Sequence, residues 1–143
     1  MDEQPLRTLG LDVGDSRIGV AVGSQGGISI RPLEAINRTL LDQDIQSILQ
    51  LIKEYDVRFV VVGLPISLNG RIGKQATKVK EFTRYLAKAS PVAIYSQDER
   101  FSSVEAKRLL RDAGRRIFRN KGLLDSASAA VILRSYLDTY GVN

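Results

Sequence analysis

Histidine and cysteine are both absent from the 143 residues, and each absence removes chemistry. Without cysteine there is no disulfide framework and no thiolate nucleophile. Without histidine there is no Ser-His-Asp triad, no imidazole general base and none of the usual His or Cys zinc sites. An enzyme built from this chain must work with carboxylates, Lys, Arg, Tyr, Ser or Thr. Long apolar runs are missing too: no uninterrupted stretch approaches the roughly 20 residues that a bilayer span needs. Met1-Asp2-Glu3-Gln4 is too acidic to begin a secretory signal peptide. These absences predict a cytoplasmic protein with no membrane partner.

What is present describes an ordinary globular chain. A hydrophobic fraction of 43% and a charged fraction of 26% suit a folded domain, and the length suits a single one spanning 1–143. No internal repeat, low-complexity tract or interdomain linker interrupts it. The formal net charge of +5 favours a polyanionic partner.

The chain is organised around Gly10-Leu11-Asp12-Val13-Gly14-Asp15-Ser16-Arg17-Ile18-Gly19-Val20-Ala21-Val22. Leu9, Leu11 and Val13 alternate with Gly10 and Asp12, and Ile18 to Val22 is apolar or small throughout, so two adjacent strands are predicted. Gly14-Asp15-Ser16 between them is turn chemistry: glycine supplies the unusual backbone angle, and Asp and Ser bond their own backbone. Asp12 then ends a strand, where it either caps the turn or holds a divalent cation against a phosphate.

Strands are predicted at Leu6–Val13, Arg17–Gly23 and Ile28–Ala35, joined by connections short enough for antiparallel hairpins. A helix follows, with Thr39 as its cap and Asp42 in its first turn. Leu41, Ile45, Ile48, Leu49 and Ile52 recur on its packing face. The apolar run Asp56–Gly63 reads as a central strand covered on both faces, ending before Pro65, which cannot continue a ladder. Next come a helix over Lys74–Ala89, a strand over Pro91–Gln97, and a helix capped by Ser102 with Glu105 and stopped at Gly114. A basic loop, Arg115–Gly122, leads to a last helix, Leu123–Tyr140, with Asp125 in its first turn. Three hairpin-linked strands followed by strands alternating with helices imply an α/β fold. Its five-stranded sheet is mixed, three antiparallel strands and then parallel ones, with helices on both faces. That order resembles the ribonuclease H-like architecture.

Acidic groups fall where such a sheet exposes its edge. Asp12 and the Asp98-Glu99 pair end strands, and ligand sites collect there in parallel arrangements; strand parity does not separate Asp98 from Glu99. Asp125 joins them if the last helix sets its N-terminal end against that edge, which the small Ser128 and Ala129 permit. Taken alone, Asp125 needs only the helix dipole to explain it. Like charges placed together repel unless a cation lies between them, and oxygen ligands suit Mg²⁺ or Mn²⁺ better than zinc. Such ions support phosphodiester hydrolysis without histidine.

Positive charge supplies the second half of the argument. Arg100, Lys107, Arg108, Arg111, Arg115, Arg116, Arg119 and Lys121 face only Glu105 and Asp112, a net +6 within one segment. A positive flank beside an acidic pocket fits a protein that grips nucleic-acid backbones; the bland alternative is a solvated helix face. Arg17 and Arg71 are candidate phosphate forks and Lys74 a point charge at a helix start, although each also reads as a surface cation.

Gly10-Leu11-Asp12-Val13-Gly14 is followed by Arg17-Ile18-Gly19-Val20-Ala21-Val22, Val62-Gly63-Leu64-Pro65, Asp98-Glu99-Arg100, and Asp125-Ser126-Ala127-Ser128-Ala129-Ala130 before Ile132-Leu133. With these ordered motifs over nearly its whole length, the chain resembles the YqgF family, also called RuvX. The resemblance implies a ribonuclease H-like fold related to the RuvC Holliday junction resolvases. It also implies a bacterial cytoplasmic nuclease proposed to process the 5′ end of pre-16S ribosomal RNA. By position, the acidic site falls on Asp12, the Asp98-Glu99 pair and Asp125, with Glu99 favoured within its pair. Asp12, Glu99 and Asp125 are then the expected ligands of Mg²⁺ or Mn²⁺, with Asp98 supporting or replacing Glu99. Arg17, Arg71, Lys74, Arg100, Arg115, Arg116, Arg119 and Lys121 are the expected phosphate contacts. Phe101-Ser102-Ser103 replaces the family's more usual Leu-Thr-Thr and keeps a hydroxyl cap. Branched DNA is the alternative substrate. A non-catalytic RNA-binding role in ribosome assembly or transcription is the alternative function. Ribosomal precursor particles are a candidate partner, and monomer and homodimer both stay open.

Overall fold

Alternation along the first strand decides what each face of the sheet becomes. In the computed structural model, which describes residues 7–24, 29–66, 69–99 and 121–140, with side chains in the last segment from Ser126 onward, β1 (Arg7–Val13) pairs antiparallel with β2 (Arg17–Gly23). Strand β2 in turn pairs antiparallel with β3 (Ile30–Asn37). After α1 (Leu41–Glu54), β4 (Val57–Leu64) lies parallel to β1; after α2 (Lys74–Ala89), β5 (Ala93–Asp98) lies parallel to β4. The order across the five-stranded sheet is β3-β2-β1-β4-β5, and α3 (Lys121–Tyr140) follows. The mixed sheet expected from the sequence is present.

Leu9, Leu11 and Val13 turn one way and join Ile18, Val20, Val60 and Val62 under Ile45, Ile48 and Ile52 of α1 and Val79, Phe82 and Leu86 of α2. The opposite face carries Ala21 and Val61 against Ala129, Ala130, Ile132, Leu133 and Leu137 of α3. On that second face helix and sheet come very close. A Cβ on Gly10 would stand 2.7 Å from the Ala129 carbonyl oxygen and 2.9 Å from the Leu133 Cβ. The Ser126 hydroxyl accepts the Val20 amide at 2.9 Å, at the point where the β2–β3 register shifts between Ile18 and Val20. Ser126 thus lies at Val20, Ala129 at Gly10, and Leu133 reaches Gly23. Helix α3 therefore runs antiparallel to β1, with its N-terminal end over the end of β1 that carries Asp12.

Several boundaries differ from expectation. Strand β3 covers 30–37 rather than 28–35; Pro32 is tolerated within it because β3 is an edge strand. Leu40, not Thr39, occupies the N-cap of α1, and no side chain caps it there. Instead Asp44 Oδ1 reaches back from inside the helix to the Thr39 amide at 2.9 Å. Asp56 precedes β4 at a φ of 51°, a left-handed turn conformation that Asp tolerates better than most residues. Helix α3 begins at Lys121, so Lys121 and Gly122 are helical rather than part of a loop, and Asp125 falls beyond the first turn. The expected helix from Ser102 to Gly114, the remainder of the basic loop and Arg100 lie outside the described residues. No helix among the described residues is long and apolar enough to cross a membrane.

Gly10→Ala is expected to lower the unfolding free energy by about 1–3 kcal/mol, since the added methyl meets a backbone carbonyl that cannot swing aside. Urea titration checks this. Wild-type stability in the variant would show that α3 can lift from the sheet without loss.

Candidate active site

Asp12 belongs to the β1 face that α3 covers, on the side of Thr8 and Gly10, and is half-buried. The pairing of β1 with β4 ends at Leu11–Val62, so Asp12 stands just past that ladder, level with Gly63 on the neighbouring strand. On β5, Ile94 packs into the α1/α2 core while the Tyr95 ring stacks against Tyr136 of α3, with centroids 5.8 Å apart. Alternation from Tyr95 through buried Gln97 carries Glu99 to the α3 face and Asp98 to the other. The Glu99 carboxylate then lies over Gly63: its Oε1 is 3.2 Å from where a Cβ on Gly63 would be, and that Cβ would also collide with Ile132. A glycine at 63 leaves the space that Ile132 fills, with the Glu99 carboxylate close beside it.

Electrostatics agree with that placement. Burial, then the Asp12 charge, then the Asp98 charge push the Glu99 carboxyl up from 4.5 to about 7. A carboxylate near the end of β1 and another just past β5, far apart in sequence, thus feel each other's charge. Asp12, Asp98 and Glu99 each make further polar or electrostatic interactions.

The turn behind Asp12 is tight, with the Gly14 amide donating to the Arg17 carbonyl at 2.9 Å and Arg17 exposed at the start of β2. Gln75 Nε2 donates to the Val13 carbonyl at 3.4 Å, which brings the start of α2, and with it exposed Lys74, to the same edge of the sheet. Arg71 is exposed in the loop after β4, its amide donating to Asn69 Oδ1 at 3.1 Å. Sequence reasoning missed Arg38 and Asp44. Arg38 donates Nη1 to the Gly14 carbonyl at 2.9 Å and Nε to Asp44 Oδ2 at 2.9 Å. Asp44 is 1% exposed. Its place directly before Ile45, on the apolar stripe of α1, was the available signal, because a buried carboxylate demands partners.

The backbone of Asp125 lies one helical turn before Ala129, at the end of α3 that overhangs the Asp12 end of β1. Its side chain, that of Lys121, and all of Arg100, Arg115, Arg116 and Arg119 lie outside the described residues. Among the described residues no group of three His, Cys, Asp or Glu is arranged to hold a metal ion. The described donors are Asp12 and Glu99, with Asp98 alongside. Hard oxygen donors crowded by like charge fit a divalent cation of the Mg²⁺ or Mn²⁺ type.

A family model described as RuvX, Holliday junction resolvase, matches residues 6–139. A relative from Desulforudis audaxviator, named "Putative pre-16S rRNA nuclease", is 41% identical over 136 residues, covering 94% of this chain and 95% of its own. Another of the same name, from Trichormus variabilis, is 40% identical over 138 residues, covering 96% and 91%. Among solved structures, Thermus thermophilus RuvC in complex with a Holliday junction substrate superposes with a TM-score of 0.60 at 16% identity, over 96% of this chain and 97% of that one. The fowlpox virus Holliday junction resolvase gives 0.58 at 11% identity, over 94% and 99%. At such identities the likeness is one of fold, the RuvC-like, ribonuclease H-like arrangement.

A carboxyl whose folded pKa exceeds its unfolded value stabilises the fold below the unfolded value and loses that contribution as pH rises through the folded one. For Glu99 this window runs from 4.5 to about 7. In metal-free buffer, wild type is therefore expected to lose stability across that window relative to Glu99→Gln. Asp12→Asn should shrink the loss without abolishing it, because burial is the larger cause. Parallel pH profiles for wild type and Glu99→Gln in urea unfolding would contradict the shared site.

Proposed function

This chain belongs to the RuvX family, a family of nucleases acting on nucleic acid, and from that premise we propose that it is a divalent-metal-dependent nuclease of structured RNA, processing the 5′ end of pre-16S ribosomal RNA. The observation that carries the reading is the meeting of Asp12 and Glu99 on one face of the sheet, close enough that the charge of one raises the pKa of the other. Asp12 and Glu99 hold the cation, Asp125 is the third ligand, and Asp98 supports Glu99. When bound, Mg²⁺ or Mn²⁺ activates the attacking water and stabilises the leaving oxygen of the phosphodiester.

The chain's own residues do the rest. Glu99 retains part of a proton near neutrality and must release it on binding a cation, so cation affinity rises with pH. Arg17, Arg71 and Lys74, with Arg100, Arg115, Arg116, Arg119 and Lys121, hold the substrate's phosphates; such contacts supply affinity and register but little sequence information. The same reading makes 1–143 one domain and sets it in the cytoplasm, where ribosomal precursor particles form. Branched DNA is a second reading, favoured by the description of the matching family and by the junction-resolving proteins among its structural neighbours.

Labelled precursor ribosomal RNA and a four-way DNA junction, offered separately and in competition with Mn²⁺, separate the two. RNA cleavage is expected, falling by about a hundredfold or more in Asp12→Asn, the scale on which removing one group that stabilises developing charge acts. Calorimetry should find Mn²⁺ binding tightening as pH rises through about 7. Equal cleavage by wild type and Asp12→Asn rejects the assigned chemistry, and junction-only cleavage rejects the substrate.

A further inference from the structure

Asp12 is supported by the sheet on one side only. Strand β1 pairs with β2 as far as Val13–Ile18 but with β4 only as far as Leu11–Val62, so the end of β1 and the turn behind it lie past the second ladder. Helix α2 touches it through Gln75, which donates to the Val13 carbonyl at 3.4 Å, and through the exposed Lys78–Asp15 pair, and the segment leading into α1 fastens it further. Arg38 donates Nη1 to the Gly14 carbonyl at 2.9 Å and its backbone amide to the Ser16 carbonyl at 2.9 Å. Its Nε donates to Asp44 Oδ2 at 2.9 Å, and its guanidinium carbon lies 5.1 Å from the centroid of the Phe82 ring of α2. The other Asp44 oxygen accepts the Thr39 amide at 2.9 Å and the Thr39 hydroxyl at 3.3 Å. With side chains 25% and 1% exposed, Arg38 and Asp44 form a largely desolvated pair whose planar fork fixes direction as well as distance.

We propose that Arg38, oriented by Asp44, is a positioning residue for the active site: it clamps the Gly14–Ser16 turn and thereby sets where Asp12 stands relative to Glu99. The proposal rests on the reading of Asp12 and Glu99 as the site's carboxylates. Gly14 is two residues beyond Asp12, and Arg38 holds both ends of the short segment from Gly14 to Ser16. A displacement of about 1 Å at a reacting group suffices to lower turnover a hundredfold.

A competing explanation is that Asp44 serves only to start α1 through Thr39. Chemistry separates the two. In Asp44→Asn the amide oxygen can keep the Thr39 bond, but the amide nitrogen must then occupy the Oδ2 position and face Nε of Arg38, donor against donor. That variant keeps the helix start and breaks the clamp. Arg38→Lys breaks it from the other side, since an ammonium cannot reproduce the fork to Asp44 and Gly14.

Both variants are compared with wild type and with Lys78→Ala, which removes only the exposed 3.5 Å pair between Lys78 and Asp15 on the same turn. Amide hydrogen exchange is read at Gly14, whose amide bonds Arg17, and at Val61 in the sheet centre. In Arg38→Lys and Asp44→Asn, exchange at Gly14 is expected to quicken by about tenfold or more while Val61 keeps its protection. On the cleaved substrate, kcat should fall about ten- to a hundredfold with KM within about twofold, and Lys78→Ala should resemble wild type in both readouts. Unchanged Gly14 exchange overturns the clamp. So does a loss of protection that reaches Val61 equally, or an equal effect from Lys78→Ala. If wild type cleaves neither RNA nor DNA, the nuclease reading fails, and the exchange data still decide whether Arg38 holds the turn.

Discussion

The structure depends on how closely α3 approaches the sheet. At Gly10 the Ala129 carbonyl occupies space that any side chain would need, and at Gly63 the Ile132 side chain does the same, with the Glu99 carboxylate in tight contact beside it. These glycines are on adjacent strands and face the same helix. Their missing side chains let α3 sink until Ser126 can take the Val20 amide that lies at the register shift. That bond fixes both the depth of the helix and its position along β1. A larger residue at either glycine would raise the helix and separate the groups that line its N-terminal end.

The two faces of the sheet are therefore built on different principles. Under α1 and α2, branched aliphatic side chains interdigitate into an ordinary core, which supplies most of the apolar burial. Under α3, alanines and glycines predominate toward the Asp12 end, while the bulkier Leu133, Tyr136 and Leu137 fill the other. Toward the end lined by small residues, Asp12 lies on the face α3 covers and the Glu99 carboxylate lies beside Gly63 and Ile132. Their crowding has a cost visible in the Glu99 carboxyl, lifted to about 7 first by burial and then by Asp12. A group perturbed by burial together with a specific charged neighbour is a candidate for a working site, although structural ion pairs perturb carboxyls too.

Much of this was legible in the residues. Alternation in β1 and the polar turn at Gly14 gave the first hairpin, and α2 has the bounds its periodicity predicted, Lys74–Ala89. Strand β3 slipped by two residues because its burial is shallow along its whole length, so neither face carries a strong pattern. Thr39 looked like a cap because hydroxyls usually cap helices; Leu40 takes that position instead, and the Thr39 amide and hydroxyl both donate to Asp44. Asp125 was read into a first turn because the basic stretch before it looked like loop, yet the helix already includes Lys121. The parity that separates Glu99 from Asp98 was unreadable for a different reason. It requires knowing that Tyr95 faces α3, and Tyr95 finds that partner 41 residues later, at Tyr136. Local sequence carries alternation but not the identity of the face.

The absence of histidine gives the Glu99 shift its significance. In a site with an imidazole, protonation near neutrality and cation binding can reside on separate groups. Here a carboxylate that would ordinarily be ionised well below neutrality is brought into that range by its burial and by Asp12. On the proposed reading of Glu99 as a cation ligand, proton and divalent cation are alternative ways of relieving the same repulsion, and they exclude each other there. On that reading the response of the site to pH and its demand for a cation are one property. Its size is governed by how deeply α3 and Gly63 bury the Glu99 carboxylate and by how firmly the turn after Asp12 is held.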